Sequence, residues 1–234
     1  MTATATSKSI TIESPDGDFS GYLATPASGK GPGVVVIQEI FGVNKVMRDI
    51  ADGLAAQGFV ALCPDLFWRI EPGVDITDKS EAEWKKAFDL YGKFDTEKGV
   101  VDLKASLKAL RPLTSGKVGA VGYCLGGMMA YLTACHTDVD ASVGFYGVNI
   151  QDRLADAKDI QKPLMLHVAV KDEFVDPEAQ AKIVAGLKDN AHVAIHQYPE
   201  CDHAFARVGG AHYDKQAATD ANERTLAFFK KHLA

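Results

Sequence analysis

Lys117-Val118-Gly119-Ala120-Val121-Gly122-Tyr123-Cys124-Leu125-Gly126-Gly127 is the stretch on which the reading of the whole chain turns. Its first part, Lys117 to Val121, is short and apolar, as a strand buried on both faces of a parallel sheet must be. Its second part is Gly-x-Cys-x-Gly, and Leu125 to His136 continues as a helix. Strand, tight turn and helix, with a reactive side chain at the apex of the turn, is the spacing that lifts a nucleophile out of a sheet. The turn forces its central residue into a strained backbone conformation, and a Cβ on the flanking residues would clash. The helix that follows directs free N–H groups and a positive dipole end at the sulfur, which favours thiolate over thiol. The bland alternative is a structural turn holding an inert thiol.

Outward from this point the pattern alternates. Upstream, Ser9–Glu13 and Phe19–Ala24 read as strands around a turn at Pro15–Asp18, and Gly33–Ile37 and Phe59–Cys63 as buried strands flanking a helix over Met47–Ala56. Arg69–Thr77 is irregular, and Glu81–Tyr91 and Thr96–Leu110 carry helical patterns. Downstream, the strands are Ala141–Tyr146, Pro163–Val170 and His192–Tyr198, and the helices Pro177–Leu187 and Asp214–His232. Strand–helix alternation of this kind predicts an α/β fold, a mainly parallel sheet with helices on both faces. Neither a repeat nor a linker divides the 234 residues, so one domain over 1–234 is expected.

Composition narrows the function. Hydrophobic residues make up 47% of the chain and the formal net charge is −6, with the lysines scattered. A net negative surface without a basic cluster argues against nucleic acid as a partner. No apolar run reaches the length of a membrane span, and Met1 to Ile10 has no apolar core of a signal peptide. A cytoplasmic monomer acting on a small molecule is expected, without cofactor. Cys63, Cys124, Cys135 and Cys201 lack the short paired spacings of a zinc site, so no metal is expected. Cys63 and Cys135 read as small buried hydrophobes.

A base and its orienter follow in chain order. Asp172 comes just after the strand Pro163–Val170, and His203 just after His192–Tyr198. Both lie at carboxyl ends of strands, where α/β sheets place their chemistry. Asp176 and Asp202 compete for the acid's role. Asp176 suits an N-cap, because Pro177 follows it, and Asp202 adjoins His203 in sequence, which is poor geometry for holding its ring.

These residues bring out a resemblance. Gln38-Glu39-Ile40-Phe41-Gly42, Cys63-Pro64-Asp65-Leu66, Gly119 to Gly127, Tyr146-Gly147-Val148, Asp172-x-Phe174-Val175, His203-x-Phe205-Ala206-Arg207 and Asn222-Glu223-Arg224-Thr225 agree in order and spacing with the dienelactone hydrolases, over nearly the whole chain. The resemblance implies an α/β-hydrolase fold, hydrolysis of an enol lactone, and a triad of Cys124, Asp172 and His203. It also implies a switching role for Glu39, which would pair with Arg207 at rest and take the cysteine proton when substrate displaces it. Backbone N–H groups of Ile40 and Leu125 are the expected oxyanion hole. Arg207, Trp84, Phe41 and Tyr146 are the expected substrate contacts. Trp84 marks a departure: the family places a second carboxylate-binding arginine at its position, and tryptophan cannot form a bidentate ion pair. Arg69, Lys85 and Lys86 lie nearby in sequence without matching it. The rival readings are a broad-specificity carboxylesterase, an acyltransferase, and a non-catalytic ligand-binding protein on the same fold.

Overall fold

A computed structural model describes residues 4–234; residues 1–3, part of the amino-terminal stretch read above, lie outside the described residues. Among the described residues eight strands join in one sheet, in the order β1-β2-β4-β3-β5-β6-β7-β8. Strands β1 (Thr6–Ser14) and β2 (Gly17–Thr25) form an antiparallel hairpin, and β2 also runs antiparallel to β4 (Val60–Pro64). The other neighbours are parallel: β4, β3 (Gly33–Ile37), β5 (Val118–Tyr123), β6 (Ala141–Phe145), β7 (Leu164–Ala169) and β8 (Val193–Tyr198).

The central strands are buried at every residue, which is why they read as unbroken apolar runs rather than alternating ones. The hairpin departs from expectation. Its strands pair from Ser14↔Gly17 outward to Thr6↔Thr25, and Pro15-Asp16 alone makes the connection. Most of β1 is exposed Ser, Thr and Lys, so backbone pairing extends the strand where no apolar pattern announces it.

Helices α1 (Lys45–Ala56), α2 (Glu81–Lys93), α3 (Thr96–Leu110), α4 (Leu125–His136), α5 (Pro177–Leu187) and α6 (Lys215–Leu233) complete the fold. Helix α4 is buried from Leu125 to Cys135, so it is apolar all round. Asp176 caps α5 through a hydrogen bond from the Ala179 N–H at 2.8 Å, with Pro177 at the first position. A 3₁₀ segment over Ile150–Asp159 has no counterpart in the sequence reading; it is polar apart from Ile150, Leu154 and its alanines, and its backbone at Arg153 accepts a hydrogen bond from Tyr131. Among the described residues no helix is long and apolar enough to cross a membrane. None of the four cysteines is in a disulfide.

Candidate active site

The loops that follow β3, β5, β6, β7 and β8 meet at one edge of the sheet, because parallel strands all end there. Cys124 stands at the turn between β5 and α4 with φ 57° and ψ −116°, a backbone conformation that L-residues rarely adopt. Two glycines make the turn possible. A Cβ on Gly122 would lie 1.8 Å from the Gly126 carbonyl oxygen, and one on Gly126 would lie 2.3 Å from that of Ile37. Among the described residues the other non-glycine positions with positive φ are Tyr146, Asn149 and Ala204. Asn149 lines the same cavity as Cys124, and Tyr146 and Ala204 belong to the loops beneath it, so the strained backbone gathers at one place.

Asp172 and His203 meet there. His203 Nδ1 lies 2.8 and 3.0 Å from the two carboxylate oxygens. A carboxylate only accepts, so Nδ1 keeps a proton throughout, and Nε2 is the nitrogen that can gain or lose one. Nε2 is buried and has no hydrogen-bond partner. The Asp172 carboxylate is fixed in turn by the N–H groups of Phe174 (2.9 Å) and Val175 (3.3 Å). Asp202 accepts from the His203 backbone N–H and does not touch the ring. Tyr146 and Phe174 pack edge-on against the imidazole at 5.1 and 4.8 Å. Burial lowers the basicity of His203, but the Cys124 sulfur, when it is ionised, and the Asp172 carboxylate overcome that, and the net shift is upward.

Glu39, just past β3, is buried against Arg207 in a two-point ion pair: Arg207 Nε donates to Oε2 at 2.8 Å and Nη2 to Oε1 at 3.0 Å. Arg207 also reaches a carboxylate the sequence did not suggest. Its Nη1 donates to Asp78 at 3.2 Å. Asp78 titrates below the usual carboxylate range: burial opposes this, and Lys79 and Arg207 outweigh it.

A cavity of about 210 Å³ opens over this cluster, lined by Ile40, Trp84, Phe88, Tyr91, Cys124, Val148, Asn149, Phe174, His203 and Arg207. Leu125 is buried as the first residue of α4, where backbone N–H groups have no intrahelical acceptor. Two expected substrate contacts lie elsewhere. Phe41 sits behind the wall, edge-on to Trp84 at 5.0 Å and under the Arg207 guanidinium at 4.9 Å. Tyr146 lies beneath the His203 ring rather than on the cavity surface, because its backbone turns it into the aromatic packing around Phe145. Trp84 does face the cavity. Arg69 and Lys86 are engaged with Asp102 and Glu71.

The sequence reading missed Phe88 and Tyr91 as lining residues. They share a face of α2 with Trp84 at helical spacing, a periodicity that the sequence itself carries. Asn149 was not legible; it donates to the Tyr91 hydroxyl at 2.7 Å from a left-handed position after β6.

A parallel sheet entered through an antiparallel hairpin, with a strained strand-to-helix turn at its centre and an aspartate-held histidine on a later loop, is the α/β-hydrolase fold. Within that class, residues 19–233 match the dienelactone hydrolase family. A provisionally named carboxymethylenebutenolidase of Azospirillum brasilense is 50% identical over 220 residues, 93% of this chain and 95% of that one. The carboxymethylenebutenolidase of Pseudomonas putida is 40% identical over 222 residues, 94% of each. The crystal structure of a provisionally named dienelactone hydrolase from Klebsiella pneumoniae superposes with a TM-score of 0.87 at 28% identity, covering 98% of this chain and all of the other. The chain belongs to the dienelactone hydrolase family and is a hydrolase of the lactone and ester type.

Proposed function

We propose that the protein opens a small enol lactone, or cleaves a similarly activated ester, with Cys124 as nucleophile, His203 as base and acid, and Asp172 as the group that orients His203. The observation that carries this reading is the geometry of His203: one nitrogen fixed by a carboxylate at 2.8 Å, the other buried, unpartnered and lining the same cavity as Cys124.

The steps follow from the groups present. The thiol loses its proton to Glu39 once substrate disturbs the Glu39–Arg207 pair, and the thiolate attacks the carbonyl carbon. The N–H groups of Ile40 and Leu125 receive the negative charge that forms on the carbonyl oxygen. The adduct collapses with cleavage of the C–O bond, the departing enolate oxygen takes the proton that Glu39 holds, and a thioester remains on Cys124. His203 then draws a proton from water, which attacks the thioester. The sulfur departs and takes the proton back from His203, the thiol is restored, and the acid is released. Sulfur is itself a good leaving group, so an adduct with a poor alkoxide or amide leaving group reverts, and activated esters and enol lactones suit this site best. Holding the thiol neutral until substrate arrives would also protect it from oxidation.

A hydrolysis screen of lactones and p-nitrophenyl esters tests the reading, comparing wild type with Cys124→Ser and with protein alkylated at a mapped Cys124. Activated esters and enol lactones should be cleaved and simple amides should not, and both changes at Cys124 should abolish turnover. Full activity in protein shown to be alkylated at Cys124 would overturn it.

A further inference from the structure

Charge and wall chemistry together select a substrate class. Among the described residues, Arg207 is the only lysine or arginine lining the cavity. Its guanidinium already faces two carboxylates whose side chains are nearly covered, Glu39 on Nε and Nη2 and Asp78 on Nη1. Lys79 touches the other oxygen of Asp78 but is largely exposed, so solvent screens its charge. A carboxylate brought to Arg207 by a substrate would therefore meet two fixed negative charges around a cation that is already paired. The opposite wall offers no second cation. It is built from Trp84, Phe88 and Tyr91 on one face of α2, with Phe174 across the mouth. Trp84 and Phe88 stack at 5.5 Å and 28°, and Phe88 and Phe174 stand 6.5 Å apart. These last two rings are 47% and 44% exposed, which leaves aromatic surface at the cavity mouth available to a flat ligand. Asp78 joins the two features, since its backbone oxygen accepts from the Trp84 indole N–H at 3.1 Å.

We propose that the enzyme acts on neutral lactones or esters with a flat, aryl-like body, and that Asp78 determines this charge preference as a built-in carboxylate occupying Arg207 where a substrate carboxylate would otherwise bind. The inference rests on the hydrolase reading above and specifies its substrate. Asp78 on Nη1 would also leave Arg207 paired once substrate has separated Glu39 from it.

Three enol lactones test it: one bearing an aryl group and a free carboxylate, its methyl ester, and the ester without the aryl group. Wild type should favour the methyl ester over the acid in kcat/KM by about tenfold or more, since like charges brought together in a site are strongly disfavoured. Asp78→Asn should move that ratio towards the acid by roughly tenfold, chiefly through KM for the acid. Phe88→Ala should reduce the preference for the aryl ester and leave the acid-to-ester ratio unmoved. A wild-type preference for the acid, or an unchanged ratio in Asp78→Asn, overturns the inference while leaving the hydrolase reading intact. Turnover of none of the three would sink the hydrolase reading itself. Should Asp78→Asn fail to fold, the wild-type ratio alone still decides.

Discussion

His203 and His167 are both buried among aromatic rings, 4% and 1% exposed, and their partners make them opposites. His167 lies inside β7, and both of its nitrogens are taken by hydroxyls, Tyr198 at 2.8 Å and Thr225 at 3.0 Å. Burial pushes it down to about 3, with the charges of His196 and Arg224 adding to the effect, so it stays neutral. His203 lies in a loop past β8, with one nitrogen on a carboxylate and the other without a partner, and its shift is upward despite burial. Burial alone silences a histidine. A neighbouring carboxylate and an uncommitted second nitrogen are what a proton carrier requires of the same side chain.

Activity is where the contrast should be largest. His203→Gln should lower kcat by about 10⁴ or more with little change in KM, whereas His167→Gln, which alters no group at the cavity, should turn over near the wild-type rate. Steady-state kinetics on an activated ester checks both, and a comparable loss in the two variants would break the contrast. Asp172→Asn comes next. Losing the charge frees the ring to take the wrong tautomer, so kcat should fall by roughly 10²–10⁴. Asp176→Ala removes only a helix cap and should cost about 1 kcal/mol of stability while sparing kcat. If Asp176→Ala loses turnover and Asp172→Asn keeps it, the orienting carboxylate has been misassigned.

Much of this molecule is local, and the local part was legible. Gly33–Ile37, Thr96–Leu110, Leu125–His136 and Pro177–Leu187 have the bounds their apolar runs and caps suggest. Asp172 and His203 declare themselves by their place after consecutive strands, because topology alone brings those two loops together. What stayed hidden is of two kinds. The 3₁₀ segment Ile150–Asp159 is stabilised by packing from below, and its own residues, Gln-Asp-Arg with Asp-Ala-Lys-Asp, carry no periodic apolar signal. Asp78 is an acidic residue in an irregular loop, 129 positions from the arginine it pairs with, and nothing at that distance marks the contact. Phe41 and Tyr146 show the reverse case, expected at the cavity and found outside its lining. Their sequence neighbours reach the cavity, and the motif could not tell a residue that lines the wall from one that supports it.

The smallest expected effect is on stability, and it has a sign that separates the two histidines. His167 is neutral in the folded protein down to about pH 3, while an unfolded chain protonates it near 6.5. Its contribution is therefore complete above about pH 6.5 and is lost as pH falls from there towards 3, because the unfolded state binds the proton first. By pH 5 the loss is about 2 kcal/mol, at 1.36 kcal/mol for each unit of pH below the unfolded value. His203 is shifted the other way, so its contribution is complete below its unfolded value of about 6.5 and declines as pH rises above it. Between pH 7 and 5, then, His167 should dominate the histidine part of the acid loss. His167→Gln will be weaker at every pH, since glutamine cannot fill the ring's place between Tyr198 and Thr225, but its denaturation midpoint should fall less steeply over this interval. The carboxylates titrate alike in both proteins, and their effect cancels in the difference. Urea denaturation of the two proteins at pH 7 and pH 5 measures it: parallel slopes would mean that His167 does bind a proton in the folded state, and that the charge of the partner does not divide these two histidines.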